Sequence, residues 1–563
     1  MRNKSIDKAL GSVLAFAGIV VSLFVTTSGV TDPVNVPKML LITPLAFAAF
    51  ALGVNQFRRV DLKELRLTLI FSSLFLLALA CSTAFGGAPF SQAFFGTAGR
   101  NTGFVTYFSL LLIFFSSTIV RHTNFARNLV PGILFVGVIN VLYGFLQLTH
   151  NDPLPWNNTY NTILGTFGNP DFASAFLGMT AVVAVAVLLG NLRNWKAILF
   201  SATYLVISIF EIKKSHAIQG FAVTAIGVAV VGFFFIRSKT SGNILLVGYS
   251  ILIACLGVLA GFGALQIGPL SKFVYKGSVS LRGEYWAGAI NTGRDHPLFG
   301  VGLDSYGDWY RFERRPSAIV RPGPDTVVNT AHNVFLDMFA NGGYFLLISY
   351  LAILFLTVLA LFRLAKRQRA YDITFVALSA AWIGYQAQAA ISINQIGLAI
   401  WGWLLAGALI SYEISTRTNQ SENNSTDSKK LKRQTNRGST SMPASAILAS
   451  SAAGLIGLLL ALPPLMADNR WYNAAKNRKV ELLQQAGLAW PRDSNRMANI
   501  AITLAQNKFN QQALVVAREA VKFNPRSFDA WKVLSLIETA TPSEKAEAIK
   551  HLKELDPLNT EIK

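Results

Sequence analysis

Long apolar segments recur along most of this 563-residue chain, and they constrain its fold more than any other feature. A helix needs roughly 17–25 mostly apolar residues to cross a bilayer. The pattern predicts such helices near residues 9–27, 39–55, 67–82, 104–120, 129–148, 172–190, 197–210, 219–236, 244–264, 334–362, 373–390, 396–412 and 443–463. Because 52% of the residues are hydrophobic and only 14% are charged, a water-soluble fold is excluded. We therefore predict an all-α, polytopic membrane protein of about 12–13 transmembrane helices.

The distribution of Lys and Arg predicts how the chain is oriented. With the N-terminus in the cytoplasm, the short cytoplasmic loops hold 23 Lys and Arg residues. The short loops on the other side hold four, namely Lys38, Arg100, Lys213 and Lys214. Cytoplasmic loops of membrane proteins carry such an excess. Topology therefore explains most of the net charge of +21, and nucleic acid is not expected as a partner. No clear cleavage site follows the first apolar segment, so we expect it to remain as a helix.

Composition divides the chain into four parts. Residues 1–412 form the predicted membrane core, which includes a large basic extracytoplasmic loop at 266–331. Residues 413–442 are polar and form a cytoplasmic linker. Residues 443–463 form one further transmembrane helix, and 467–563 form a tail with the ordinary charge content of a soluble domain.

The tail carries a repeated pattern. Trp490-Pro491, Asn524-Pro525 and Asp556-Pro557 follow helix-like runs, and their prolines are 34 and 32 residues apart. This period resembles that of tetratricopeptide repeats (TPR), and a generic helical tail is the alternative. We expect a soluble, TPR-like α-helical domain with its own core, a surface for a protein partner and no catalytic groups. We also expect the membrane core to stay folded without it.

Polar groups that topology does not require are the candidates for function. They are Arg100, Lys213, Lys214, His216, Arg282 and His332. The basic loop ends in a histidine at a predicted helix start, which indicates an anion-handling site. Cys81 and Cys255 lie inside predicted spans and give no metal-ligand spacing. The sequence has no P-loop and no dense acidic cluster, so neither a cofactor nor a metal is expected.

Five short motifs follow one another along the chain. They are Gly96…Arg100…Gly103, Gly165-Thr166-Phe167-Gly168-Asn169-Pro170, Arg282…Trp286, Pro297-x-x-Gly300-x-Gly302 and His332-Asn333-x-x-Leu336…Gly342-Gly343. In this order they resemble the O-antigen ligase/O-antigen polymerase (Wzy-type) family of membrane glycan-transfer proteins, over roughly residues 80–410. Members with a TPR-like tail are common. Asn341 stands where many members have an acidic residue, which argues against a carboxylate role there.

The resemblance implies an activity and a location. A glycan would pass from an undecaprenyl-diphosphate carrier to the hydroxyl group of a glycan, lipid or protein acceptor, without ATP or a metal. The site would face the extracytoplasmic side of the bacterial plasma (inner) membrane, and membrane lipids would surround the core. Ligase and polymerase activity both fit the pattern.

The resemblance also implies roles for the candidate residues. Arg282 would be catalytic, because a guanidinium stabilises charge on a diphosphate with two parallel hydrogen bonds. His332 would be the second catalytic residue and would activate the acceptor hydroxyl. At a helix N-terminus its ring is biased towards the neutral form. The substrate-binding residues would be Arg100, Lys213, Lys214, His216 and Asn333.

Two other classes of protein remain open. A multi-span transporter of an anionic solute or of a lipid-linked glycan would also combine many spans with basic groups. Transport sites usually lie near the middle of the membrane, whereas these motifs lie in loops. A membrane anchor that presents the tail to partners is the third class, and it leaves the loop arginines unexplained.

Overall fold

The computed structural model describes residues 4–57, 62–122, 124–156, 158–264, 267–268, 277–326, 328–424 and 441–562. Within these ranges the chain forms 22 α-helices and no β-strand, which confirms the all-α prediction. The helices are α1 (Lys4–Leu23), α2 (Asn35–Phe57), α3 (Leu62–Phe85), α4 (Phe90–Phe95), α5 (Phe104–Ile119), α6 (Asn124–Leu148), α7 (Pro170–Gly190), α8 (Trp195–Lys214), α9 (Gln219–Lys239), α10 (Ile244–Ala264), α11 (Gly277–Asp295), α12 (Tyr306–Glu313), α13 (Pro316–Val320), α14 (Val334–Arg367), α15 (Ile373–Ala389), α16 (Ile396–Asn424), α17 (Ala444–Asn477), α18 (Val480–Gly487), α19 (Ser494–Gln506), α20 (Asn510–Phe523), α21 (Phe528–Leu536) and α22 (Pro542–Leu555).

Eleven of the described helices are long and apolar enough to cross a membrane, which identifies a polytopic membrane protein. Each of the thirteen predicted segments coincides largely with a helix. Two of these helices are short, since α5 has 16 residues and α15 has 17. Both are buried over most of their length, so neighbouring helices rather than lipid cover them.

Helix α16 lies at the centre of the membrane bundle. Its apolar stretch Ile396–Thr418 is buried on all sides, and it packs against α1, α5, α14 and α15. Lipid is as apolar as a leucine side chain, so close packing stabilises such a bundle more than removal from water does. Gly402 and Gly407 permit this approach, because they face the ring of Tyr385 and the backbone of Phe114. Helix α17 lies at the edge and packs along α2.

Polar side chains determine where several helices begin and end. Asn169, Asn333 and Asp372 each accept backbone N–H groups in the first turn of α7, α14 and α15. Lys38 is buried, and its Nζ donates to backbone carbonyls, including that of Ser22, at the end of α1. A positive charge is favourable at this end of a helix. Lys38, one of the four basic residues in the short loops predicted to be extracytoplasmic, therefore has a structural role.

The loops that were predicted to share one side of the membrane lie together at one end of the bundle. Their hydrogen bonds join Asn35 to Gly99, Thr162 to Lys214, and Arg282 to Ile391. We call this end of the molecule the site face. The compartment that it faces stays a prediction.

Ion pairs gather at the opposite end of the bundle. Arg121 and Arg417 contact Glu64, and Arg367 contacts Glu413. These arginines belong to the loops that were predicted to be cytoplasmic. The grouping of loops in the structure thus matches the grouping that the charge distribution predicted.

The large loop is mostly helical where it is described. Helices α11, α12 and α13 fill it, while residues 265–266 and 269–276 lie outside the described part. Tyr306, Tyr310 and Ala331 form a small apolar cluster with Ala340 of α14. This cluster fixes the loop against the start of α14.

The tail forms its own helical core on the site face. Side chains such as Met497, Leu514 and Trp531 are buried together within α18 to α22. The predicted boundaries differ from those observed, because α16 continues to Asn424 and α17 continues to Asn477. Most of the predicted linker, residues 425–440, lies outside the described residues. Helix hydrogen bonds are local, so a helix can continue from an apolar into a polar sequence.

Candidate functional site

Arg282 lies near the start of α11 and is 5% exposed. Its guanidinium group donates to the carboxylate of Asp171, at the start of α7, over 3.1 Å, and to the carbonyl of Ile391. Asn169 places Asp171, because its side chain accepts the Asp171 N–H at 2.8 Å. The start of α7 and the loop before α16 therefore hold the guanidinium in one orientation.

His332 lies in the turn that leads into α14. Its φ of 53° is in the left-handed region, which costs free energy for any residue but glycine. The side-chain oxygens of two residues hold this turn. Asp337 accepts the N–H of Ala331 at 2.8 Å, and Asn333 accepts the N–H groups of Phe335 and Leu336. The backbone strain at His332 is thus stabilised by its neighbours.

The surroundings of His332 favour the neutral imidazole. Burial lowers the pKa of His332 to about 4, and the positive charge of Arg282 acts in the same direction. The ring of Tyr285 lies 5.5 Å from the imidazole, centre to centre. At neutral pH the ring can therefore accept a proton.

One cavity of about 550 Å³ brings these groups together. Its lining comprises Tyr160, Thr162, Asn169, Pro170, Asp171, Ser215, His216, Ala217, Ile218, Gln219, Leu281, Arg282, Tyr285 and His332. We call it the charged cavity. Three predicted site residues, His216, Arg282 and His332, share it although they are far apart in the sequence. A volume of this size suits a ligand larger than a few atoms.

Arg100 lies outside the charged cavity. Its guanidinium forms an ion pair with Asp304, which is buried, and donates to the carbonyl of Asn329 over 2.5 Å. Asp304 also accepts the N–H of Thr97. The arginine thus joins its own turn to the large loop. Its predicted contact with substrate stays a prediction, and the same guanidinium has a structural role.

The lining of the charged cavity does not include the remaining predicted residues, but each is close in the sequence to a residue that lines it. Lys213 and Lys214 are exposed and precede the cavity residues Ser215 and His216. The ammonium group of Lys214 lies 5.6 Å from the ring centre of Phe210. Asn333 caps α14, as described above. The structure therefore places His216 in the cavity lining but does not place these lysines there.

The glycine motifs of the sequence pack against each other. The N–H groups of Val301 and Gly302 donate to the carbonyls of Ala340 and Asn341. A side chain at Gly300 would collide with the backbone of Asn341. The side-chain oxygen of Asn341 accepts two N–H groups at the start of α12. These motifs are therefore explained by close packing, and Asn341 has a capping role.

Sequence reasoning missed the acidic partners of the site. Asp171 directly follows the second motif, and it pairs with Arg282. Asp304 and Asp337 stand within or next to the quoted motifs, which was a usable signal. Within the described residues, His, Cys, Asp and Glu form no group of three that could hold a metal ion.

Comparison with known protein families gives one match. Residues 215–351 match the family model described as O-Antigen ligase. This range begins at the rim of the charged cavity and includes His216, Arg282 and His332. No curated protein matches the chain. The match supports the O-antigen ligase family, and it indicates a membrane glycosyltransferase or ligase rather than a transporter.

Proposed function

We propose that this protein transfers a glycan from an undecaprenyl-diphosphate carrier to an acceptor hydroxyl in the charged cavity. One observation carries the proposal most directly. The cavity combines an oriented guanidinium, on Arg282, with a neutral imidazole, on His332. The reaction requires both, because the leaving diphosphate is an anion and the acceptor must lose a proton.

Arg282 binds the diphosphate in this proposal. A guanidinium has five N–H donors, and its described hydrogen bonds go to Asp171 and Ile391. The remaining donors face the leaving group and stabilise the charge that develops as the sugar–oxygen bond breaks. The guanidinium is oriented before the substrate arrives, so little reorganisation is needed during the reaction.

His332 accepts the proton of the acceptor hydroxyl. The positive charge of Arg282 helps to keep its pKa low in the free protein. A bound diphosphate offsets that charge, so it raises the pKa of His332 and makes the ring a stronger base. The hydroxyl oxygen then forms the new bond to the sugar as its proton moves to the imidazole. His216 is the second candidate for this role.

The other predictions fit this proposal. We place the site face on the extracytoplasmic side of the bacterial inner membrane, because the opposite end gathers the arginines of the positive loops. Lys213 and Lys214 then act as rim cations that attract the anionic headgroup over a distance. The tail is proposed as TPR-like and as a docking surface for a protein partner.

Reconstituted protein tests the proposal. Purified protein is mixed with the undecaprenyl-diphosphate-linked glycan and acceptor from its own cells, with a chelator and without ATP. We expect transfer by the wild type and a loss of at least about 100-fold in Arg282→Ala and His332→Ala. Arg282→Lys should recover little, because an ammonium group cannot form two parallel bonds.

The matched control is Arg294→Ala. Arg294 lies on the same helix, α11, but it is exposed and does not line the charged cavity. We expect its transfer rate to equal that of the wild type. A wild-type reaction that depends on ATP or a divalent metal would contradict the proposal. Unchanged turnover in both single variants, His332→Ala and His216→Ala, would also contradict it.

A further inference from the structure

A second cavity of about 490 Å³ lies beside the charged cavity. Its lining comprises Thr27, Val30, Thr31, Asp32, Pro33, Val34, Asn35, Gly99, Pro155, Trp156, Tyr160, Leu164, Phe167, Gly168, Asn169, Phe172 and Tyr472. We call it the aromatic cavity. Four separate parts of the chain build it, namely the loop and start of α2, the turn at Gly99, the loop and start of α7, and the helix α17.

Its lining has a different chemistry from that of the charged cavity. The carboxylate of Asp32 already accepts the N–H groups of Val34, Asn35 and Val36. Among the residues that the structure describes, no Lys or Arg lines the cavity. The lining also includes five aromatic side chains and two side-chain amides. Such a lining is poorly suited to a phosphate and well suited to a neutral ligand that has apolar faces and hydroxyl groups.

The ring of Trp156 is held in place. Its indole N–H donates to the hydroxyl of Tyr143 over 2.7 Å, and that hydroxyl donates to Asp152 over 2.8 Å. Tyr160 lines the same cavity and is 57% exposed. A fixed ring and an exposed ring on one wall offer flat apolar surfaces to a ligand.

The two cavities adjoin at two residues. Tyr160 and Asn169 line both of them, and the Asn169 amide donates to the Tyr160 hydroxyl over 3.3 Å. Asn169 also holds Asp171, the partner of Arg282. The aromatic cavity is therefore the neighbouring space for a chain of sugars that starts at a diphosphate beside Arg282.

The helix α17 supplies Tyr472 to the far wall. Two contacts fix this helix to the loop before α2. Asp468 accepts the N–H of Thr31 at 2.7 Å, and Asn469 donates to the carbonyl of Gly29 over 2.6 Å. The wall is therefore a fixed part of the site face.

We propose that the aromatic cavity is a binding site for the neutral glycan chain of a substrate, beyond the sugar that is attached to the diphosphate. This inference rests on the proposed function, which places the diphosphate at Arg282. Sugar rings have apolar C–H faces that pack on aromatic rings, and hydroxyl groups that hydrogen-bond to amides. Tyr472 then gives the tail-bearing helix a direct part in recognising substrate.

Donors of two lengths test the proposal. The native lipid-linked donor is purified from the source cells, and a second sample is trimmed to the first sugar. In Tyr472→Ala and Trp156→Leu we expect KM for the full-length donor to rise about 3- to 10-fold. We expect kinetics with the trimmed donor to stay unchanged, because one sugar does not reach the aromatic cavity.

The control variant is Asn477→Ala. Asn477 lies on the same helix as Tyr472, α17, and it is exposed and does not line the cavity. Its KM should equal that of the wild type for both donors. The same series with a full-length and a trimmed acceptor identifies the source of the bound chain. A KM change with acceptor length alone would assign the cavity to the acceptor glycan.

Failure of this inference differs from failure of the proposed function. Equal kinetics of all variants with all donors and acceptors would overturn the glycan site while transfer itself continues. If the wild type transfers neither donor, the proposed function fails. Quenching of tryptophan fluorescence by the glycan released from the native donor then tests whether the aromatic cavity binds a glycan. Quenching that Trp156→Phe abolishes supports the site, and quenching that it retains, or none in the wild type, overturns it.

Discussion

The imidazole of His332 is held neutral by two effects, burial and the positive charge of Arg282. Both lower the pKa of His332, because both disfavour the protonated ring. A base of this kind is lost when pH falls through its pKa in the folded protein. The pH dependence of transfer therefore reports on this environment.

We predict that kcat/KM stays constant as pH falls from 7 to about 5 and declines only as pH approaches about 4, the pKa of His332 in the free protein. NMR titration of the labelled imidazole provides a readout that does not need activity. In Arg282→Ala the titration should move to higher pH, since a positive charge is removed. In Arg294→Ala it should not move. A His332 titration that is equal in all three proteins would contradict this account.

Glu211 is a second residue whose environment makes a prediction. It lies in α8, within a candidate membrane span, and is fully buried. Neither carboxyl oxygen has a hydrogen-bond partner among the described residues. Gly144 of α6 lies against the carboxyl group, since an added side chain at Gly144 would come within 2.7 Å of it. A buried polar group without a partner typically costs about 1–3 kcal/mol.

We predict that Glu211→Met raises the thermal unfolding midpoint of the protein in detergent or nanodiscs. Methionine has a similar length and removes the unpaired oxygens. Glu481→Met, at an exposed position of α18, serves as the control and should change stability by less than about 0.5 kcal/mol. A lower midpoint, or loss of transfer at unchanged stability, would indicate that the carboxyl group has a functional role.

At the scale of residues, the sequence supplied some of the candidate site and missed its partners. His216, Arg282 and His332 were chosen from charge and position, and the structure places them in one cavity. Asp171 and Asp304 were missed as partners of arginines. An ion pair between distant helices depends on the tertiary packing, which neither periodicity nor charge counts reveal.

At the scale of elements, the join between the loop and α14 depends on backbone conformation. Gly343 has φ 63° and ψ −166°, a region that is essentially restricted to glycine. A side chain there would collide with the carbonyl of Pro297, which accepts the N–H of Tyr344. This contact sets the bend of α14 between its first part, which follows the His332 turn, and the longer part after Gly343.

We predict that Gly343→Ala destabilises the protein by at least about 1–3 kcal/mol and lowers transfer, because the bend relaxes and moves the site turn. Thermal unfolding and transfer assays measure both effects. Gly257→Ala is the control, since an added methyl group at Gly257 in α10 would contact no other atom. It should stay within about 1 kcal/mol of the wild type. Normal stability of Gly343→Ala would show that the bend is not required.

Apolar runs predicted the membrane helices well, because length and hydropathy are properties of a single segment. Helix ends were less predictable. The extension of α16 to Asn424 and of α17 to Asn477 runs through polar sequence, where hydropathy gives no signal. The TPR-like period predicted helices in the tail, but it did not predict which surface the tail would contact.

At the scale of the whole molecule, the tail and the membrane core are joined more closely than the sequence predicted. Asp556 is fully buried and pairs with Arg311 and Arg314 of the large loop, at 3.1 and 2.6 Å. The Arg526 guanidinium lies 3.3 Å from the ring centre of Trp309. Two of the basic residues in the loop therefore bind the tail rather than a substrate. Removal of the tail would leave these charges without their partner, which argues against the expected independence of the core. That independence stays a prediction.

We predict that Asp556→Ala detaches the tail from the loop. Removing one partner of a buried ion pair typically costs about 3–5 kcal/mol, since the remaining charges stay buried and unpaired. Hydrogen exchange should increase in α12 and α22, and limited proteolysis should release the tail from the folded core. If the aromatic cavity depends on a docked tail, KM for the full-length donor should rise as in Tyr472→Ala.

The matched control for Asp556→Ala is Glu554→Ala. Glu554 lies two residues away on α22, its side chain is 53% exposed, and it contacts only its own helix neighbours Lys550 and His551 in the described ion pairs. Exposed pairs of this kind contribute about 0–1 kcal/mol. We expect wild-type exchange and proteolysis in this variant. If Asp556→Ala showed the hydrogen exchange and proteolysis of the wild type, the buried ion pair would not be what holds the tail. The contact of Arg526 with Trp309 would then be the next candidate.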